Sequence, residues 1–177
     1  MARVSAAVAG LFALASGMAY LAYWPILARP DWAITAWNLL IVPTALYLGV
    51  RLAARGPMLA ATCTAAGIAA SLLWATGFQH AEREPWWIGL AAIWWLGIGW
   101  LLLPVHRATG FLTLALGVAT AVDLVVTALD LGLPLLALGG LKLPLSTLWS
   151  FWIGVVVLLD AAGGARSRGF SVSSGDS

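Results

Sequence analysis

Ionised side chains are scarce. Nine Lys and Arg and seven Asp and Glu are spread over 177 residues, 9% of the chain, where a soluble domain carries about 25%. The hydrophobic share is 62%, and a small domain has too much surface to hide that many apolar residues from water. Cysteine occurs once, as Cys63, so no disulfide forms within the chain. Histidine occurs twice, as His80 and His106, and lysine once, as Lys142. Haem held between helices needs facing histidines at one depth, and these two fall on opposite sides of the apolar segments. A retinal Schiff base needs a lysine in mid-helix, and Lys142 reads as lying at a segment edge. No phosphate-binding glycine loop, G-x-S-x-G elbow or H-E-x-x-H pair occurs. The sequence therefore suggests no cofactor and no catalytic motif. Its net charge of +2 is too small to argue for nucleic acid as a partner.

What is abundant is long apolar runs. Six are found, at about Val4–Leu27, Trp32–Leu52, Met58–Phe78, Trp86–Leu103, Thr109–Leu131 and Leu143–Ala162. A helix crosses a bilayer with about 20 predominantly apolar residues. Within hydrocarbon every backbone N–H and C=O must be paired internally, which leaves helices or closed barrels. A barrel needs alternating polar and apolar residues, and these runs are continuously apolar. The fold expected is all-α, an integral membrane bundle of six transmembrane helices over residues 1–163. The Gly- and Ser-rich stretch 164–177 is read as a disordered cytoplasmic tail. The first run resembles a signal peptide at Arg3 and at "ALASGMA", but it continues to Leu27, too far for a signal h-region, and reads as a retained span.

The breaks between runs are short: "ARPD" (Ala28–Asp31), "RLAARGP" (Arg51–Pro57), "QHAEREP" (Gln79–Pro85) and "PVHR" (Pro104–Arg107). "GLPLLALGGLKLP" (Gly132–Pro144) is apolar, but Pro134, Gly139, Gly140 and Pro144 argue against a regular helix there, and it reads as a loop in the outer interface or, as the less favoured alternative, one that dips back into the bundle. Orientation follows from Arg and Lys in short loops. Arg3, Arg51, Arg55, Arg107, Arg166 and Arg168 share one side, against Arg29, Arg83 and Lys142 on the other. This bias places both termini in the cytoplasm. Trp24, Trp32, Trp37, Trp86 and Trp87 form the aromatic belt of the outer boundary, while Trp74, Trp94, Trp95, Trp100, Trp149 and Trp152 lie deeper. The deeper set is expected to pack or to meet lipid rather than to line a ligand cavity.

Two acids stand out in "ATAVDLVVTALDLG" (Ala119–Gly132). Thr120, Asp123, Thr127 and Asp130 are spaced three, four and three apart, which puts them in one stripe of a helix. Asp130 reaches headgroups or water. Asp123 lies about 12 Å in from Leu131 at 1.5 Å per residue, where a charge costs on the order of 3 kcal/mol. Asp123 is therefore expected to face the bundle interior and to be protonated, paired or wet. With no Lys or Arg expected at its depth, the sequence points to a neutral acid of raised pKa that donates a hydrogen bond. Tyr20, Asn38, Ser71 and Ser150, with Ser146 and Thr147 above Ser150, fall at about 9–12 Å depth on the same side. The inner halves of the helices hold far fewer polar groups. A polar cluster in the outer leaflet is the expectation. As a function it is a site for a small solute, proton or cation, opening outward. As structure it is polar glue between helices, worth about 0.6 kcal/mol per contact.

Other features have plainer readings. Ala60, Thr64, Gly67 and Ser71 form a small face that lets a neighbouring helix approach, and Cys63 is a core thiol. His80 and Glu84 could meet on a helical turn, but with no second His or Cys beside them they read as a solvated loop and not as a metal site. His106 and Arg107 mark the inner boundary. Asp160 is expected to pair with Arg51, Arg55 or Arg107.

The stretch "WWIGLAAIWWLGIGWLLLPVHRATGFLTLALGVATAVD" resembles small bacterial multi-pass inner-membrane proteins, in which a Trp- and Gly-rich helix, a short basic turn and a second helix follow one another. It covers about two helices. The resemblance implies the bacterial plasma membrane and carries over no activity and no site residue. Two functional expectations follow from the residues. One is a membrane protein that binds or moves a small solute or ion at Asp123, with Asn38, Thr127 and Ser150 lining the site. The other is a structural or accessory subunit, working as a homo-oligomer or beside a partner membrane subunit.

Overall fold

Apolar runs separated by Pro- and Gly-containing breaks become six helices. In the computed structural model, which describes residues 2–22, 31–76, 85–129 and 135–162, these are α1 (Ala2–Ala22), α2 (Asp31–Leu52), α3 (Pro57–Ala75), α4 (Pro85–Leu102), α5 (Arg107–Ala128) and α6 (Leu135–Ala161). No strand occurs among the described residues. Five helices contain stretches long and apolar enough to cross a membrane: Val4–Ala22, Thr35–Leu52, Pro57–Ala75, Arg107–Ala128 and Pro144–Ala161. The apolar part of α4, Trp86–Leu102, is shorter. The tail, the "QHAERE" loop with His80 and Glu84, Trp24 and Asp130 lie outside the described residues.

Helix starts follow local chemistry. Pro57 opens α3 behind Gly56, where a missing N–H costs nothing. His106 caps α5, its ring accepting from the Thr109 N–H, so the residue read as a boundary marker also satisfies one of the helix's orphan donors. Pro43 and Pro144 sit inside α2 and α6. Each removes one backbone hydrogen bond, a loss that membrane bundles tolerate because neighbouring groups compensate.

Each helix packs antiparallel to its neighbours in the chain, and α6 closes on α1, giving a ring in the order α1 to α6. The two tightest flanks, α4–α5 and α1–α6, rest on glycine. A Cβ on Gly10 would lie 2.7 Å from Leu158 Cγ and 3.0 Å from the Gly154 carbonyl oxygen, and one on Gly154 would lie 3.0 Å from the Gly10 carbonyl oxygen. Only Gly lets these backbones come so close. The α5–α6 flank is packed more sparsely than the other five of the ring.

The ring is inverted relative to a soluble protein. Leu11, Met18, Leu46, Val50, Met58, Phe111, Val118 and Leu159 point outward, whereas Ser16, Thr44, Thr64, Thr113, Thr120 and Ser150 are buried. Large apolar side chains outside and small polar ones inside make sense only where the surrounding solvent is lipid. The core between them is built from Ala, Leu and Ile with Trp94, Trp95 and Trp149.

Two expectations need correction here. Gly139, Gly140 and Pro144 do not break the chain into a loop: α6 is helical from Leu135. The helix propensities that argued otherwise are set in water, and in a low-dielectric bundle the helix is favoured because it pairs its own backbone. Polar groups are also not confined to one half of the bundle. Thr44, Thr109 and Thr113 are fully buried toward the face where α1 begins and α6 ends, called the chain-end face below; the other is the far face.

Candidate functional site

The site begins with α5. Thr109, Thr113, Thr120 and Asp123 are all buried on one side of this helix, as their spacing predicts. Two of the hydroxyls bond their own helix: Thr113 donates to the Thr109 carbonyl at 2.6 Å and Thr120 to the Leu116 carbonyl at 2.8 Å. Asp123 lies five residues before the end of α5, about 8 Å along the axis.

Asp123 is not alone. Lys142 Nζ donates to Asp123 Oδ2 at 2.5 Å. The expectation of an unaccompanied, neutral acid rested on Lys142 standing at a loop edge. Because α6 starts at Leu135, Lys142 stands seven residues into a helix, about 10 Å along its axis, level with Asp123. The carboxyl thus has a cation for its partner. Side-chain exposure is 22% for Lys142 and 10% for Asp123, so the pair is largely covered by the bundle.

Below this pair the α5–α6 flank continues as a polar seam. The Trp149 Nε1–H donates to Thr113 Oγ1 at 2.8 Å, and the Trp152 Nε1–H donates to Thr109 Oγ1 at 2.9 Å. Thr109 Oγ1 in turn lies 2.7 Å from His106 Nδ1. Since the Thr109 N–H also donates to Nδ1, that nitrogen is the acceptor, and a neutral imidazole carries its proton on Nε2. Trp149 is fully buried and meets Trp95 edge to face at 4.7 Å and Trp94 at 5.7 Å.

The other proposed lining residues are buried on separate helices. Tyr20 on α1 stacks on Trp37 of α2 at 4.7 Å. Asn38 on α2, Ser71 on α3 and Ser150 on α6 are buried, and Thr127 on α5 is partly so. Among the described residues α5 packs against α4 and α6 and not against α1, α2 or α3, so Tyr20, Asn38 and Ser71 are not brought against Asp123. Ser150 packs toward Gly17 of α1, to which a Cβ would lie within 3.2 Å. The Ser150 and Thr147 hydroxyls and the Trp37, Trp94 and Thr64 polar atoms have no hydrogen-bond partner among the described residues. Buried polar atoms rarely go unpaired, so these mark places where water or a ligand would be welcome. The small face of α3 is used for packing: Thr64 covers Gly49, and the Trp94 ring lies flat over Gly67.

A second charged cluster lies near the chain-end face. Asp160 Oδ2 accepts from Arg51 at 3.1 Å, as one of the three expected pairings, and from the Tyr47 hydroxyl at 2.6 Å. The tyrosine was not anticipated, although Tyr47 and Arg51 are one turn apart on α2 and so share a face. Among the described residues no group of three or more His, Cys, Asp or Glu is placed to hold a metal. No family model, curated protein or solved structure matches the chain.

Proposed function

We propose that this multi-pass membrane protein binds or moves a small solute or ion through a polar pocket around Asp123 that opens at the far face. The observation that carries this reading is the Asp123–Lys142 pair itself, placed on two helices that otherwise pack sparsely. An apolar replacement of a buried ion pair is often as stable or more so, so folding alone gives little reason to keep one inside a membrane protein, where ionisable residues usually serve function. Unpartnered Thr147 and Ser150 follow on α6 one to two turns below Lys142, and Thr127 stands one turn from Asp123 on α5. The excess of Arg on the chain-end side supports a cytoplasmic chain-end face, and the resemblance of the fourth and fifth helices supports a bacterial plasma membrane.

The second reading is an accessory subunit that acts in a homo-oligomer or beside a partner chain. Its support is the set of side-chain bonds between helices, Trp149 to Thr113, Trp152 to Thr109 and Thr44 to the Ala9 carbonyl at 2.8 Å, which are the polar glue such a subunit needs. Purified protein in sealed liposomes holding a pH-sensitive dye separates the two, with Na+, K+ or H+ gradients imposed. The solute reading expects a flux in the wild type that Asp123→Asn abolishes while its melting temperature stays within a few degrees. No flux in the wild type, together with a clear loss of stability in Asp123→Asn, would replace the first reading by the second.

A further inference from the structure

The chain-end face carries cations that the bundle does not neutralise. Among the described residues Asp160 is the only carboxylate toward this face, and it is taken by Tyr47 and Arg51. Arg55, in the turn between α2 and α3, and Arg107, at the start of α5, are exposed. Neither side chain has an ion pair or hydrogen bond among the described residues. The backbone fixes where Arg55 stands. Its N–H donates to the Leu52 carbonyl at 3.0 Å, and the turn leans on α4, where a Cβ on Gly56 would lie 3.6 Å from Leu101 Cδ2. Arg55 comes just before Pro57, where the apolar span of α3 begins, so it stands at the height of lipid headgroups. Gly56 gives α3 no side-chain cap, which leaves the first N–H groups of that helix to the surroundings.

Below Arg55 the outward face of α3 is low. Ala61, Thr62 and Ala65 are exposed there and small. On the two helices that flank α3, Val50 of α2 and Trp100 of α4 are exposed and large. Met58, at the top of this trough, is exposed and unbranched, so it yields to a neighbouring chain.

From these placements we propose that the outward face of α3, headed by Arg55, seats an anionic phospholipid. The Arg55 guanidinium takes the phosphate, in the two-pronged pairing that suits that group, and the uncapped start of α3 adds to the attraction. One acyl chain runs over Ala61 and Ala65 against the Trp100 ring. Charge selects this occupant: a choline headgroup brings its own cation against Arg55, whereas a headgroup with net negative charge supplies the missing counterion. The inference is independent of any solute at Asp123.

The test follows the lipid beside Trp100. The protein is reconstituted in phosphatidylcholine vesicles holding a small fraction of phosphatidylglycerol, with bromine on the acyl chains of one lipid or the other. Bromine quenches nearby indoles, and the difference between wild type and Trp100→Phe isolates the Trp100 signal. Brominated phosphatidylglycerol is expected to quench it about fivefold more effectively than brominated phosphatidylcholine at equal mole fraction, the advantage that one arginine at a membrane surface brings. Arg55→Gln should remove this advantage, and Arg107→Gln, on the other side of α4, should leave most of it. Both arginines are exposed and without partners among the described residues, so the variants should fold, which their unquenched spectra check. Equal quenching by the two lipids, or an advantage that survives Arg55→Gln, overturns the proposal. So does an equal loss in the two variants, which would mean diffuse attraction to the whole face. An advantage abolished by millimolar inorganic phosphate would also overturn it, in favour of a site for a soluble anion.

Discussion

Helix α6 has two flanks of opposite construction. Toward α1 the contact is backbone to backbone across Gly10 and Gly154, with Leu14 and Leu158 closing over them. Toward α5 the contact is made by long side chains, Lys142 to Asp123, Trp149 to Thr113 and Trp152 to Thr109. Dispersion contacts between close backbones vanish with a small separation, so the first flank holds only when fully closed. Side-chain hydrogen bonds can be exchanged for water or for a ligand, so the second can open and reclose. Within one helix, then, a close-packed joint and a side-chain joint stand side by side; Lys142 lies on the α5 side, while Asp160 pairs with α2.

The largest effect expected is on the fixed flank. Gly10→Val puts methyl groups where Leu158 and the Gly154 carbonyl already are, and should cost about 1–3 kcal/mol or more, read as a lowered melting temperature and an aggregated elution profile in detergent. An unchanged profile would show that the α1–α6 contact is loose. Next comes Thr113→Val, which keeps the shape but leaves the buried Trp149 N–H without an acceptor, at about 1–3 kcal/mol. Trp149→Phe removes the donor as well, so the double variant should lose less than the sum of the two single ones. Additive losses would remove the hydrogen bond from the comparison.

Asp123→Asn should be milder. Lys142 is partly exposed and can turn its ammonium to the headgroups, so the expected loss is about 1 kcal/mol, against a large loss of flux. A collapse of stability with no change of flux would make the α5 flank structural. The smallest effect is expected from Arg51→Lys, which keeps the charge of a half-exposed pair and should change stability by about 0.5 kcal/mol or less, measured by the same melting experiment. A larger loss would show that the Arg51–Asp160 pair is held by guanidinium geometry rather than by charge.

The comparison also separates what was legible from what was not. The stripe Thr120, Asp123 and Thr127 follows from spacing, and its burial follows from the cost of placing a carboxylate in lipid. The small face of α3 was readable for the same geometric reason. Lys142 was misplaced because Pro134, Gly139, Gly140 and Pro144 were weighed as breakers, as they are in water. Thr109 and Thr113 were passed over because a hydroxyl that bonds its own helix or an indole leaves no trace in composition or period. Trp149 and Trp152 were read as packing residues, and their N–H partners depend on which helix stands beside α6.

The sequence by itself determined that the chain is helical and lives in lipid, where the helices begin and end to within a few residues, apart from the start of α6 and the end of the first run, which lies outside the described residues, and which side of α5 had to be buried. Those properties follow from hydrocarbon's refusal of unpaired backbone groups and charges, which acts on each segment separately. Only the tertiary structure decided that Asp123 meets Lys142, that Asp160 meets both Tyr47 and Arg51, and that α6 is close-packed on one flank and joined by side chains on the other. Partner choice depends on which helices are neighbours and at what height, and that is set by how all six backbones close into one ring.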